Sequence, residues 1–144
     1  MSIASKQETS AIPHFDQDDV ETWDMLFSAY LRGKRNSHRA LTEDCPVLDA
    51  AAHQALFDAD GNPTDASREF ETLFKKRRFL WRKRNDVAYS ALVQACSKSS
   101  AATNLLMLNR TKTAKHIFNA LKAKFDMKNV TPVAQSKLNE AYGM

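Results

Sequence analysis

Oxygen-bearing side chains recur at alternate positions in Asp58-Ala-Asp60-Gly61-Asn62-Pro63-Thr64, and Glu69 follows at the twelfth place of the same stretch. A loop that wraps Ca2+ places its donors at these first, third, fifth and twelfth positions, so cation binding is the first chemistry to consider. Two positions argue against it. The sixth place needs a positive φ and normally holds Gly, whereas Pro63 is locked near −65°. The eighth place, usually apolar so that it pairs with a second loop, is Asp65, and the chain contains no second loop. Residues 58–69 therefore read as a solvated turn leading into a helix N-terminus.

The next chemical feature is Lys75-Lys-Arg-Arg-Phe-Leu-Trp-Arg-Lys-Arg84, seven basic residues in ten. On a helix, Lys75, Lys76, Arg78, Arg82 and Lys83 lie off the apolar stripe, with Arg77 and Arg84 at its edge. Such a face contacts phosphates, or it is a solvated basic face pairing with acids such as Asp16, Asp18, Asp19 and Asp24. Trp81 shares the stripe with Phe74 and Ala88 and reads as core. Phe79 lies with Lys75, Lys76 and Lys83 on the opposite side, where an aromatic ring is a contact residue.

Other chemistries lack their residues. His14, His38, His53 and His116 are scattered, with no pair four apart to make a helical zinc site, and Cys45 and Cys96 are too few for a zinc knuckle. No Gly-x-Ser-x-Gly elbow or phosphate-binding glycine loop occurs. The expectation is a protein with no catalytic residues, no metal and no cofactor.

The elements that carry these groups are helical by their spacing. Residues 1–14 hold no apolar periodicity and read as a flexible lead-in. From Asp16, acids precede Val20, Trp23, Leu26, Phe27, Tyr30 and Leu31 at three- and four-residue intervals, an amphipathic helix ending near Gly33. Residues 34–65 are the least regular part, with a short Ala-rich helix at about 48–57. After Ser67 no Gly or Pro occurs until Pro132, and Phe70, Leu73, Phe74, Leu80, Trp81, Val87, Ala88, Ala91, Leu92 and Ala95 form one stripe. That is one helix of about thirty residues, or two joined near Asn85-Asp86. Ser99 or Ser100 caps a helix through Leu108, and Thr111 or Thr113 caps one carrying Ala114, Ile117, Phe118, Leu121 and Phe125. A last helix begins with Pro132 and runs through Leu138 and Tyr142. No alternating β-branched stretch occurs, so the fold class is all-α, a compact bundle of five to seven helices.

The whole chain of 144 residues has 43% hydrophobic and 26% charged residues with only three Gly, which excludes collagen-like, disordered and disulfide-scaffold classes. Two cysteines fit a reducing compartment, and no apolar run approaches the length of a membrane span. The net charge of +4 conceals a division. Residues 1–65 hold five Lys/Arg against twelve Asp/Glu, and residues 66–144 hold sixteen against five. Opposite halves suggest a polyanion partner for the second half or head-to-tail attraction between copies.

Thr113-Ala-Lys-His-Ile-Phe-Asn-Ala-Leu-Lys-Ala-Lys-Phe125 resembles the helix of Gag polyproteins from copia-type LTR retrotransposons in which Thr-Ala is followed by an aromatic, a Leu and a second aromatic. Phe15 followed by Trp23 is similar to that family's opening Phe…Trp helix. Trp81 is similar to its second Trp, and Ser136 to Tyr142 to the helix after. The likeness runs from Phe15 to the end, broken at residues 43–66, with the acidic loop 58–65 standing as an insertion and Phe118 in place of a usual Trp. It implies the N-terminal region of a capsid protein, whose family-motif core residues map to Phe15, Trp23, Trp81, Thr113, Ala114, Phe118, Leu121 and Phe125.

The resemblance further implies a homo-oligomer, weak in isolation, that assembles around retrotransposon RNA in cytoplasmic particles without a membrane. Lys75, Lys76, Arg78, Arg82 and Lys83 would contact RNA or a neighbouring subunit, and Phe79, Asp16, Asp18 and Asp19 would lie at an interface. The alternative is a monomeric or dimeric helical module that binds nucleic acid through residues 75–84. The expected core is Trp23, Leu26, Phe27, Phe74, Trp81, Leu92, Leu106, Phe118 and Leu121, within a domain spanning residues 15–144.

Overall fold

A computed structural model describes residues 11–125, and every regular element in that span is helical. Helix α1 covers Val20–Arg32, α2 Ala50–Gln54, α3 Asp65–Cys96, α4 Ser100–Leu108 and α5 Ala114–Phe125, with a 3-10 helix at Ser37–Leu41. The expected helix after Pro132, with Ser136 to Tyr142, lies outside the described residues, as do residues 1–10 of the expected lead-in.

The helix starts follow the capping chemistry of the sequence. Asp19 accepts from Thr22 N (3.2 Å), Asp49 from Ala52 N (3.1 Å), Ser99 from Ala102 N (3.2 Å) and Thr113 from His116 N (3.2 Å). At α3, Thr64 Oγ1 accepts from Ser67 N (3.1 Å) while Ser67 Oγ accepts from Thr64 N (2.9 Å), a reciprocal pair that satisfies two end donors. After α1 the chain turns through Arg35 and Asn36, both at positive φ (57° and 59°), rather than at Gly33, whose φ is −70°.

The bundle is built around the second half of α3. Ala88, Ala91, Leu92, Ala95 and Cys96 are buried there, where α3 packs on α4, α5 and the 3-10 helix. Their small side chains let the neighbouring helices approach closely. Phe15, Trp23, Phe27, Phe118 and Phe125 form one aromatic cluster within the same core. Phe15 meets Trp23 edge-on at 4.9 Å and Phe125 at 5.2 Å, and Trp23 stacks on Phe27 at 4.9 Å and contacts Phe118 at 5.7 Å. Residues 11–15 belong to this packing and not to a mobile lead-in: Phe15 N donates to Ala95 O (2.8 Å) and Trp23 Nε1 donates to Pro13 O (3.1 Å).

Three of the expected core residues are corrected. Leu26 is 48% exposed, because α1 buries Val20, Trp23, Phe27 and Leu31 and no described element covers its outer face. Phe74 and Trp81 are only half-buried, because α3 runs past the end of the bundle. The region expected to be irregular contributes core after all. Ser37, Ala40 and Leu41 of the 3-10 helix are buried between α1 and α3.

Candidate interaction surface

Helix α3 is unbroken over 32 residues, about 48 Å at ~1.5 Å per residue. The proposed joint at Asn85-Asp86 does not form; instead Asn85 Oδ1 accepts from Ala114 N (2.9 Å) and caps α5. Only the part after Asn85 is inside the bundle. The first twenty residues project as an arm, and the basic run Lys75–Arg84 lies on it.

The arm is supported along one side by residues 43–64. Trp81 Nε1 donates to Glu43 O (3.1 Å), which holds the near end of that segment. At the far end, the His53 ring packs on Phe57 (5.1 Å) and Phe70 (5.6 Å), His53 Nε2 lies 2.9 Å from Glu71 Oε1, and the Thr64 hydroxyl donates to Leu56 O. A groove is left on each flank. One, about 530 Å³, has Leu48, Phe74 and Phe79 as its apolar lining, Lys75, Arg78 and Arg82 as its basic rim, and Glu71 beside them. The other, about 420 Å³, brings Arg39, Arg77 and Arg84 together with Glu43, Asp44, Leu80 and Trp81. Its acids are engaged: Glu43 holds Arg39 at 2.7 Å and Asp44 holds Lys115 at 2.8 Å.

Among the described residues, none of the seven basic side chains between Lys75 and Arg84 forms an ion pair. Lys83 Nζ sits 5.3 Å above the Phe79 ring, a cation–π contact at a ring that is still 57% exposed. Leu73 and Leu80 on the same arm, and Val87 just beyond it, recur every seven residues and are also substantially exposed, although the sequence stripe put them toward the core. The structure thus leaves a basic, partly apolar helical surface without an internal partner.

The acids considered as partners lie elsewhere. Asp16 accepts from Asp18 N (3.0 Å), Asp19 caps α1, and Asp24 pairs with Lys122 (2.9 Å). Because Phe15 is tied to Ala95, this acidic turn sits at the opposite end of α3, about 20 Å along the helix from Arg82. Intramolecular pairing between the two is excluded by that distance. At the 58–69 loop, Asp58 Oδ1 accepts from Asp60 N (3.0 Å) and Asn62 N (2.7 Å), and Gly61 takes φ +81°. The carboxylate therefore closes a turn on its own backbone. No group of three or more His, Cys, Asp or Glu that could hold a metal comes together among the described residues.

Sequence reasoning placed the basic residues and Phe79 but missed Arg39, Leu48 and the grooves. The signal for Arg77 and Arg84 was their position at the stripe's edge. Nothing local announces Leu48, whose role arises only when residues 43–64 lie along α3. No family model matches the chain, and neither curated proteins nor solved structures yield a match. Among the described residues, no helix is long and apolar enough to cross a membrane.

Proposed function

We propose that the chain is a structural, self-associating domain of the capsid type found in copia-type Gag polyproteins, whose copies gather around RNA in intracellular particles. The observation that carries this reading is the projecting arm of α3. It presents seven basic side chains that form no ion pair among the described residues, and the acids Asp16, Asp18 and Asp19 lie by the other end of the same helix. A domain of this kind acts by physical association. Contacts too weak to hold one pair become strong when repeated around a closed assembly, and charge polarity orients them.

The same arm supports a second reading, a monomeric or dimeric helical module that binds nucleic acid through phosphate contacts of Lys75, Lys76, Arg78, Arg82 and Lys83. Replacing Arg78, Arg82 and Lys83 by Glu separates the two. All three are exposed, so the fold should persist. The assembly reading expects loss of self-association in nucleic-acid-free protein, measured by light scattering. Loss of RNA retention with self-association unchanged would favour the module instead.

A further inference from the structure

Resting on the assembly reading, we infer that the groove between Leu48 and the arm of α3 receives the outer face of α1 from a second copy of the chain, in a head-to-tail contact. Two surfaces on each molecule motivate it. The groove combines Phe74, Phe79 and Leu48 with the cations Lys75, Arg78 and Arg82, which form no ion pair among the described residues. On α1, Met25 is 65% exposed and Leu26 48%, and the turn leading into that face carries Asp16, Asp18 and Asp19. One surface is apolar with a basic rim; the other is apolar with acids at one end.

Their chemistry selects a protein occupant over a nucleic acid. A phosphate backbone gains nothing from an apolar lining, whereas a helix presenting Met25 and Leu26 buries apolar surface there. Carboxylates at the start of α1 then reach the guanidinium groups of Arg78 and Arg82. The two surfaces cannot meet within one molecule, since α1 begins beside Ala95, at the end of α3 remote from the groove. Because they are different surfaces, the contact is heterologous: each copy offers one of each, and repetition makes a ring or an open chain.

The test uses two full-length variants, each altered on one surface at exposed positions: Phe79→Ser with Arg82→Ser on the groove, and Asp18→Lys with Met25→Lys on α1. Light scattering after chromatography reads their mass, and circular dichroism checks that each retains wild-type helicity and melting. The expected result is concentration-dependent association of the wild type, a monomer for each variant alone, and a particle of twice the monomer mass when the variants are mixed. Mixing restores one intact groove and one intact α1 face, so the pair forms but does not extend. Association of the wild type with both variants unaffected overturns this inference and leaves the assembly reading standing. Loss of RNA retention by the groove variant with association unchanged assigns the groove to nucleic acid and overturns it also. A wild type that stays monomeric at every concentration overturns both.

Discussion

His38 lies in the 3-10 helix where positive charge converges. Burial lowers its pKa from 6.5 first, and Arg32, Arg39 and Arg84 lower it further, against an opposing effect of Glu43. Its Nδ1 is buried and has no hydrogen-bond partner among the described residues. The folded chain therefore favours the neutral ring, while the unfolded chain protonates near its ordinary value. Stability is complete above pH 6.5 and falls as pH drops toward the lowered folded pKa, because the unfolded state then binds more protons. Urea midpoints at pH 7.5 and pH 5.5 should show this decrease for the wild type and a smaller one for His38→Gln. Equal decreases would place the effect elsewhere. The sequence showed four scattered histidines and no reason to single out His38; its environment joins Arg32 and Arg39, near it in the chain, with the distant Arg84. Caps, by contrast, were legible to within a residue or two, as Ser99 or Ser100 and Thr111 or Thr113, since a cap needs only its own next few residues; Ser99 and Thr113 are the ones that form.

At the scale of the element, α3 behaves as two helices of different character in one continuous rod. The absence of Gly and Pro after Ser67 allowed one helix or two joined near Asn85-Asp86, and the single rod is the one that forms. The division between arm and core was not legible, because Leu73, Leu80 and Val87 have the same periodicity as Ala88, Leu92 and Ala95, and only the neighbours decide which are covered. Residue for residue, the two parts should respond differently to the same substitution. Leu92 is fully buried, and Leu92→Ala should cost about 2–5 kcal/mol. Leu73 is 53% exposed, and Leu73→Ala should stay within about 0.5 kcal/mol. Denaturant unfolding of the two variants is the comparison, and similar losses would mean that the arm is covered as fully as the core. The short 3-10 helix shows the converse limit. Ser37, Ala40 and Leu41 are buried but form too brief a pattern to reveal themselves in sequence.

The described residues are electrically polar: acids gather at the start of α1, and Lys75–Arg84 on the projecting arm of α3 carries bases that form no ion pair among them. The division of charge between the chain's halves was plain in the sequence. That the two poles stand at opposite ends of one helix required the fold, specifically the bond from Phe15 to Ala95 that fixes where α1 begins. The residues carrying the Gag resemblance, Phe15, Trp23, Phe118 and Phe125, come together in the aromatic cluster, with Leu121 also in the core, and so account for stability; Trp81 stands apart on the arm. Association between copies must instead draw on surface that the core leaves uncovered, and its electrostatic part must weaken as the screening length shrinks from about 10 Å at 0.1 M salt to about 3 Å at 1 M.

The most direct measurement is the molar mass of the wild-type chain by light scattering after chromatography, over a range of concentration and salt, with the absorbance ratio recorded to detect nucleic acid. The account predicts a mass that rises with concentration in nucleic-acid-free protein and returns toward the monomer at high salt. A monomer at every concentration and salt, free of nucleic acid, would contradict it.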